Sequence, residues 1–332
     1  MALKWGIASA GKISNDFVCA LKGLSKEEHQ VVAVAARSLQ SAEQFAKTHD
    51  IPTSYEGYVN LAKDPNVQVV YIGALNPQHH EIALLMLENG KHVLCEKPFT
   101  LNEKQTREVI SIARNKKLFI MEAIWSRFFP VYQEVKSLID NGTLGEIKHV
   151  HVTFGFPLSE VDRVKNKQLG GSAILDIGVY ILQLQQFAFR GLKQEKFVAA
   201  GHLNEFGVDS TASVIITYPG SKTAVVTCNA TVQLPNEAVI VGTKGTIKIP
   251  TFWAPIKYII NDEVHERPLL ENNEKFNYHN SQGLAYQAIE VRKRILNGEI
   301  ESPTIPHDET IQLAAWMDAV RKEIGVTFDA DL

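Results

Sequence analysis

Two groups of residues, far apart in the sequence, have types and spacings that suit acid–base chemistry. The run Glu96-Lys97-Pro98 places a lysine after a short apolar segment, and Asp176 and Tyr180 are four residues apart in a helical pattern. Residues with that spacing share one face of a helix. A tyrosine is a poor base at neutral pH, but a nearby ammonium group lowers its pKa. Either group alone also fits a structural role; together they predict proton removal from a substrate hydroxyl.

The N-terminal segment contains a pattern typical of nucleotide-binding turns. Gly6-Ile7-Ala8-Ser9-Ala10-Gly11 matches G-x-G-x-x-G except that Ala8 replaces the second glycine. Such a turn brings backbone N–H groups close to a pyrophosphate at a helix N-terminus, and small residues keep that approach open. A plain strand-to-helix turn is the alternative. The position at the start of a strand–helix series favours the dinucleotide site.

The end of the second predicted strand indicates which nicotinamide cofactor is used. An NAD-preferring enzyme commonly has Asp or Glu there, to hold the ribose 2′-hydroxyl. This chain has Arg37-Ser38 instead. Arginine favours a 2′-phosphate, although a solvated surface arginine is the alternative. The predicted cofactor is NADP.

The first part of the chain alternates short apolar runs with amphipathic ones. This alternation predicts βαβ units and a parallel, Rossmann-type sheet. The carboxyl ends of such strands line the ligand crevice, so Lys97 is expected to point towards a nicotinamide. The predicted strands are 3–9, 31–36, 67–72, 92–95 and 118–123, and the predicted helices are 11–23, 41–48, 78–89 and 101–115.

The remainder of the chain has strands in succession and few helices. This order predicts an α+β domain with a large, mostly antiparallel sheet, and hence a division into residues 1–123, which bind NADP, and 124–332, which bind substrate and dimerise. The predicted strands are 150–156, 197–203, 212–218, 223–231, 238–241 and 246–249, and the predicted helices are 172–189, 282–296 and 310–323.

Composition excludes several classes of protein. A length of 332 residues suits two domains, and a net charge of −3 gives no reason to expect nucleic acid as a partner. Three widely spaced cysteines predict no disulfide framework and no metal site, so we expect a reducing compartment, the cytosol. No signal peptide or membrane span is predicted. Histidines such as His49 and His307 are expected at the surface.

Aromatic residues gather where a substrate pocket is expected. They would suit a flat apolar diol or a stacked sugar, although core or subunit-interface packing is the alternative for each of them. The predicted pocket comprises Trp125, Arg127, Phe154, Phe156, Trp253, Phe276 and His279, together with Asp176 and Tyr180.

The glycine-rich start, the E-K-P strand end and the G-G-S-x-x-x-D-x-G-x-Y helix, in this order, resemble the glucose–fructose oxidoreductase / inositol dehydrogenase family. The resemblance covers the whole chain. It implies that Lys97 is the family's lysine, Asp176 the helix carboxylate and Tyr180 the acid–base residue, where many relatives have histidine. The cofactor-binding residues expected on this basis are Gly6, Ala8, Ser9, Ala10, Gly11, Lys12, Ile13, Arg37, Ser38, Tyr71, Leu75, Asn76, His79, Glu96 and Lys97.

A closer similarity to a dimeric member of this family implies a particular activity. This is NADP-dependent oxidation of aromatic trans-dihydrodiols to catechols and of D-xylose at C1, by a homodimer formed through the C-terminal sheet. A catalytically silent NADP-binding sensor is the alternative, since folds do not fix function. An enzyme for amino-acid-derived or tetrapyrrole substrates would need more cationic residues in the second domain.

Overall fold

Six short strands, five of them mainly apolar, form a parallel sheet in the structure, a computed structural model that describes residues 2–332. Most of their residues are buried, as expected for strands that are covered on both faces. The strands are β1 (Leu3–Ala8), β2 (His29–Ala36), β3 (Thr53–Glu56), β4 (Val69–Ile72), β5 (His92–Glu96) and β6 (Ile120–Ala123).

The order of this sheet is β3-β2-β1-β4-β5-β6, so the direction of winding reverses between β1 and β4. Ligand crevices of such sheets form outside the carboxyl ends of the strands, at this reversal. The predicted strands and helices of this part are confirmed; only β3 and α3 had no predicted counterpart. The helices are α1 (Lys12–Lys22), α2 (Leu39–His49), α3 (Val59–Lys63), α4 (Asn76–Glu88) and α5 (Glu103–Lys116).

An eight-stranded sheet follows, and it confirms the predicted α+β part. All neighbouring strands are antiparallel except β7 and β10, which pair in parallel. The order is β14-β13-β12-β11-β7-β10-β9-β8, in which β13 and β14 were not predicted. The strands are β7 (Ile147–Gly155), β8 (Lys196–Leu203), β9 (Asp209–Tyr218), β10 (Lys222–Asn229), β11 (Glu237–Gly242), β12 (Thr246–Pro250), β13 (Lys257–Ile260) and β14 (Glu263–Glu266).

The later helices differ from the predicted ones, since α6 and α7 had no predicted counterpart and one predicted helix begins differently. The predicted helix 172–189 begins as a π-helical turn, Ile174–Gly178, before it becomes α-helical. Asp176 and Tyr180 therefore do not share one face as residues four apart in an α-helix do. In a π-helix the backbone hydrogen bonds join residues i and i+5, so the spacing of side chains around the axis is different. The helices are α6 (Pro130–Asp140), α7 (Asp162–Lys165), α8 (Val179–Ala188), α9 (Leu284–Leu296) and α10 (His307–Ile324).

The chain divides into two compact units that are not continuous in sequence. The predicted functional division of the chain at residue 123 stays a prediction. The compact units have other boundaries, because the segment that contains α9 belongs to the same unit as the first sheet. Unit 1 comprises the chain up to Thr100, Lys104–Phe128 and Leu269–Thr310, and unit 2 comprises Leu101–Glu103, Phe129–Pro268 and Ile311–Leu332.

The expectation that His49 and His307 lie at the surface is wrong, since both are buried. His49 Nε2 lies 3.1 Å from Asn15 Oδ1, and His307 Nε2 lies 3.1 Å from the Ile120 carbonyl oxygen. A satisfied hydrogen bond is what permits a polar ring to be buried. No helix within residues 2–332 has the length and apolar content needed to cross a lipid bilayer.

Candidate active site

Glu96, the last residue of β5, is buried and holds the backbone next to Lys97. Its Oε1 accepts a hydrogen bond from the Tyr71 hydroxyl at 2.7 Å, and its Oε2 accepts one from the Lys97 amide at 3.3 Å. Burial raises the pKa of Glu96 to about 7, although Tyr71 and Lys97 oppose this rise. The Glu96 carboxyl group thus anchors the backbone at Lys97 through a hydrogen bond.

Two residues predicted to bind the cofactor are fully engaged in unit 1. Tyr71 is completely buried, and its ring stacks on Phe17 with centroids 3.9 Å apart. His79 is also buried, with Nδ1 2.9 Å from the Pro98 carbonyl oxygen and Nε2 3.0 Å from the Ala74 carbonyl oxygen. Burial lowers the pKa of His79. Both side chains therefore support the walls of the crevice, and their contact with a cofactor stays a prediction.

The turn between β1 and α1 has the features of a phosphate cradle. Ser9 has a φ of 92°, a left-handed conformation that is rare outside glycine and frequent at functional sites. Helix α1 begins after Gly11 without a side-chain cap, and no acidic residue lies in its first turn. The buried Ser14 hydroxyl has no hydrogen-bond partner within the described residues. Uncapped N–H groups and a spare hydroxyl fit an anionic pyrophosphate.

Two glycines near this turn are required by close packing. A Cβ on Gly6 would lie 2.9 Å from Val67 Cγ1, and one on Gly73 would lie 2.4 Å from Ser14 Oγ. Gly6, inside β1, thus serves the packing of the sheet. Gly11 has more space, since the nearest atom to its added Cβ would be 3.7 Å away.

The other predicted cofactor residues lie at the expected ends of elements. Arg37 is exposed directly after β2, and the Ser38 hydroxyl caps α2 by accepting a hydrogen bond from the Ser41 amide at 3.3 Å. Burial raises the pKa of nearby Tyr58, and the charge of Arg37 opposes that rise. Ala10, Lys12 and Ile13 lie at the start of α1, Leu75 and Asn76 at the start of α4, and Ala8 at the end of β1.

In unit 2, Asp176 is paired with an arginine that sequence reasoning missed. Arg163 Nη1 on α7 lies 2.5 Å from Asp176 Oδ1. The side chains are 41% and 9% exposed, so the pair lies at the edge of the interior. Asp209 fixes the start of the π-helical turn, because it accepts hydrogen bonds from Ser172 Oγ at 2.5 Å and from the Ile174 amide at 2.7 Å.

Tyr180 belongs to a group of rings in unit 2 that we call the aromatic cluster: Phe154, Phe156, Phe252, Trp253 and Tyr180. The centroid of Phe154 lies 5.5 Å from Tyr180, 5.3 Å from Phe156 and 4.7 Å from Trp253. Phe156 and Trp253 are partly exposed. The structure thus brings together four of the predicted pocket residues, and the cluster presents ring surface next to a phenolic hydroxyl.

The other predicted pocket residues lie in unit 1. Arg127 is buried, and its Nη1 lies 3.2 Å from Glu309 Oε2. This ion pair compensates for the burial of the guanidinium charge. Trp125 is buried in the same short turn. Phe276 and His279 flank Asn277, whose amide donates to Asp16 Oδ1 of α1 at 2.8 Å. A role for these four residues in a pocket stays a prediction.

Sequence reasoning missed Arg163 and several buried acids, because single residues carry no periodic signal. Arg163 lies in an ordinary charged run, and Asp209 and Asp16 look like surface residues in the sequence. Glu122 gave a usable signal, since it interrupts the apolar run of β6. A carboxyl group inside a strand that is buried on both faces needs a partner or a function.

Sequence comparisons match both parts of the chain to one family. Residues 3–123 match the GFO_IDH_MocA oxidoreductase family with an NAD-binding Rossmann fold, and residues 132–248 match the GFO/IDH/MocA C-terminal domain. The trans-1,2-dihydrobenzene-1,2-diol dehydrogenase of Xenopus laevis is 45% identical over 99% of this chain and 100% of its own length. The human protein of that name is also 45% identical, over 100% of this chain and 99% of its own length.

A solved 3-ketoreductase from Actinomadura kijaniata, crystallised with NADP, has the same fold. Its TM-score is 0.81 at 24% identity, with 98% of both chains covered. The two family matches and the full-length similarity to dihydrodiol dehydrogenases identify an oxidoreductase with an NAD-binding Rossmann domain. The chain belongs to the Gfo/Idh/MocA oxidoreductase family.

Proposed function

We propose that the protein is an NADP-dependent dehydrogenase that oxidises trans-dihydrodiols of aromatic hydrocarbons to catechols and D-xylose at C1. The observation that carries this proposal is the aromatic cluster around Tyr180. Its partly exposed rings suit a flat cyclohexadiene diol, and they also suit stacking against a sugar. The full-length similarity to trans-1,2-dihydrobenzene-1,2-diol dehydrogenases supports the same substrate class.

The proposed chemistry removes one hydride and one proton from a carbinol group. When bound, NADP+ supplies the hydride acceptor. Tyr180 accepts the hydroxyl proton, and the ammonium group of Lys97 stabilises the negative charge that develops on the substrate oxygen. Asp176, held by Arg163, orients the reacting groups. The enone product of a dihydrodiol then tautomerises to the catechol.

The proposed preference for NADP rests on Arg37. The fork of donors on its guanidinium matches a 2′-phosphate, and its exposed position at the end of β2 is where that phosphate is held in related folds. The uncapped N-terminus of α1 suits the pyrophosphate of either nicotinamide cofactor.

The uncovered face of the second sheet supports a homodimer. Five register partners form a row across it, and four of them are apolar. Ile215 is 46% exposed and Val198 is 59% exposed. A contiguous apolar row on a sheet face suits a self-complementary interface. The row runs Val239, His151, Val225, Ile215 and Val198.

The decisive experiment measures NADPH formation by the purified protein with a panel of trans-dihydrodiols, polyols and sugars. We expect turnover with trans-1,2-dihydrobenzene-1,2-diol and with D-xylose. A silent NADP-binding sensor is the second candidate. Measurable NADP binding with no turnover of any substrate would favour the sensor and contradict the proposed activity.

A further inference from the structure

The backbone segment Lys97–Phe99 is held by buried side chains on several sides. Glu96 accepts a hydrogen bond from the Lys97 amide at 3.3 Å, and His79 contacts the Pro98 carbonyl oxygen at 2.9 Å. Cys95 Sγ donates to the Phe99 carbonyl oxygen at 3.6 Å. A segment with this many buried partners has little freedom to reorient.

A further partner of this segment comes from the neighbouring strand. Glu122 of β6 is 1% exposed, and its Oε1 accepts a hydrogen bond from the Phe99 amide at 3.0 Å. Its register partner across the sheet is Cys95 of β5. The Phe99 amide needs an acceptor because Phe99 is buried, and among the described residues Glu122 is the acceptor that the structure gives it.

We propose that Glu122 is a positioning residue, which fixes the Phe99 amide and thereby the direction in which Lys97 presents its ammonium group. The inference rests on the proposed function, in which Lys97 stabilises charge on the substrate oxygen. Glu122 acts through the backbone. Loss of the acceptor would leave the buried N–H of Phe99 unsatisfied, and the segment would shift to find water or another acceptor.

Charged neighbours give Glu122 a second link to this segment. Burial raises the pKa of Glu122, while the Phe99 amide and the positive charge of Arg127 oppose that rise and the charge of Glu96 adds to it. Cys95 lies opposite Glu122 in the register of the sheet. Burial raises the pKa of the Cys95 thiol, and the charges of Glu96 and Glu122 add to this rise. A hydrogen bond from the Thr310 side chain also opposes the rise in the pKa of Glu122, so the carboxyl group is held by Thr310 as well as by the Phe99 amide.

The test compares Glu122→Met, Glu122→Asp and Glu122→Gln in the full-length protein. Met removes the acceptor at similar volume, Asp withdraws it by one methylene group, and Gln keeps an acceptor oxygen. We expect Met and Asp to lower kcat by about 10- to 100-fold, because small misplacements of a catalytic group cost that much. NADP affinity and KM should change less than about threefold, and Gln should restore most of kcat.

A matched control removes a buried acceptor at the other end of the same sheet. His29 Nδ1 accepts a hydrogen bond from Trp5 Nε1 at 3.2 Å, at the start of β2. His29→Leu should lower the melting temperature with little change in kcat. If Glu122→Met and Glu122→Asp behave in the same way, Glu122 is structural only and the inference is wrong.

Lys97→Met separates this inference from the proposed function. Loss of turnover in Lys97→Met together with normal kcat in Glu122→Asp would contradict the role of Glu122 alone. Unchanged turnover in Lys97→Met would contradict the proposed role of Lys97 itself. Should Glu122→Met fail to fold, Glu122→Asp against Glu122→Gln gives the same comparison, because both variants retain polar oxygen at this position.

Discussion

Arg163 and Asp176 form an ion pair with Nη1 and Oδ1 2.5 Å apart, and this pair determines what the carboxylate can do. Asp176 lies in the π-helical turn whose start is fixed by Asp209. A partly buried carboxylate with an arginine partner is held in one orientation by the charge-assisted hydrogen bond. Asp176 is therefore a fixed acceptor next to the helix that carries Tyr180.

Arg163→Met should leave Asp176 without its partner and lower kcat/KM by about tenfold, the order of a lost charge-assisted hydrogen bond. Arg163→Lys should retain part of the activity, because an ammonium group keeps the charge and loses the fork of donors. Steady-state kinetics measures this effect. Lys167→Met, at an exposed cation nearby, is the control and should behave as the unmodified protein. Equal kinetics for Arg163→Met and the control would contradict a role for the pair.

Tyr180→Phe should lower kcat by about 10²- to 10⁴-fold, the usual contribution of a general base. The ring packing of the aromatic cluster would be kept, so NADP binding should stay intact and can be measured by fluorescence titration. Tyr55→Phe removes a hydroxyl that contacts Asp64 at 3.2 Å and is the control. Near-normal kcat in Tyr180→Phe would show that another group accepts the proton.

The sequence anticipated regular elements better than single buried groups. The βαβ series and the successive strands could be predicted because the periodicity of apolar residues extends over many positions, as in β1, α1 and β9. The π-helical turn at Ile174–Gly178 has no periodic signature, since its geometry depends on the long-range contacts of Asp209. Glu96 and Glu122 stood out in the sequence as carboxyl groups in apolar runs, but their contacts with the Lys97 and Phe99 amides depend on the fold.

Arg37→Glu should reverse the expected cofactor preference. A carboxylate at this position repels a 2′-phosphate and can accept a hydrogen bond from the 2′-hydroxyl of NAD. The ratio of kcat/KM for NADP over NAD should fall by about 100-fold or more, since a favourable charge contact becomes a repulsive one. Lys47→Glu, at the exposed end of α2, controls for the change in net charge. An unchanged ratio would place the 2′-phosphate elsewhere.

Ile215→Asp should convert a homodimer into a monomer. The substitution puts a charge in the middle of the apolar row, directly opposite Val225 and Val198 in the register of the sheet. Burying an unpaired carboxylate in an interface costs several kcal/mol, which is enough to dissociate a dimer of marginal stability. Light scattering after size exclusion measures the mass. Val59→Asp, at a similarly exposed valine of α3 in unit 1, should leave the mass unchanged; a monomeric unmodified protein would contradict the proposed interface.

The pH dependence of stability should reveal the buried acid of β6. Burial raises the pKa of Glu122 from 4.5 to about 8, with the charge of Glu96 adding to the rise and that of Arg127 opposing it. Below pH 4.5 the group is protonated in both the folded and the unfolded chain, so its stabilising effect is complete there. As pH rises towards 8 the unfolded chain ionises first. The contribution of Glu122 to the free energy of unfolding therefore falls, by at most about 1.4 kcal/mol per pH unit for one proton.

Glu122→Gln is neutral at every pH and should remove this contribution, which the difference in the free energy of urea unfolding between the variant and the unmodified protein at a series of pH values between 4.5 and 8 would measure. Other buried groups keep their own contributions to the slope in both proteins, since burial raises the pKa of Glu96 to about 7 and lowers the pKa of His29 to about 4. Glu263→Gln, on the exposed edge strand β14, is the control and should keep the slope of the unmodified protein. The same slope in Glu122→Gln and in the control would mean that Glu122 ionises at its ordinary pKa in the folded chain.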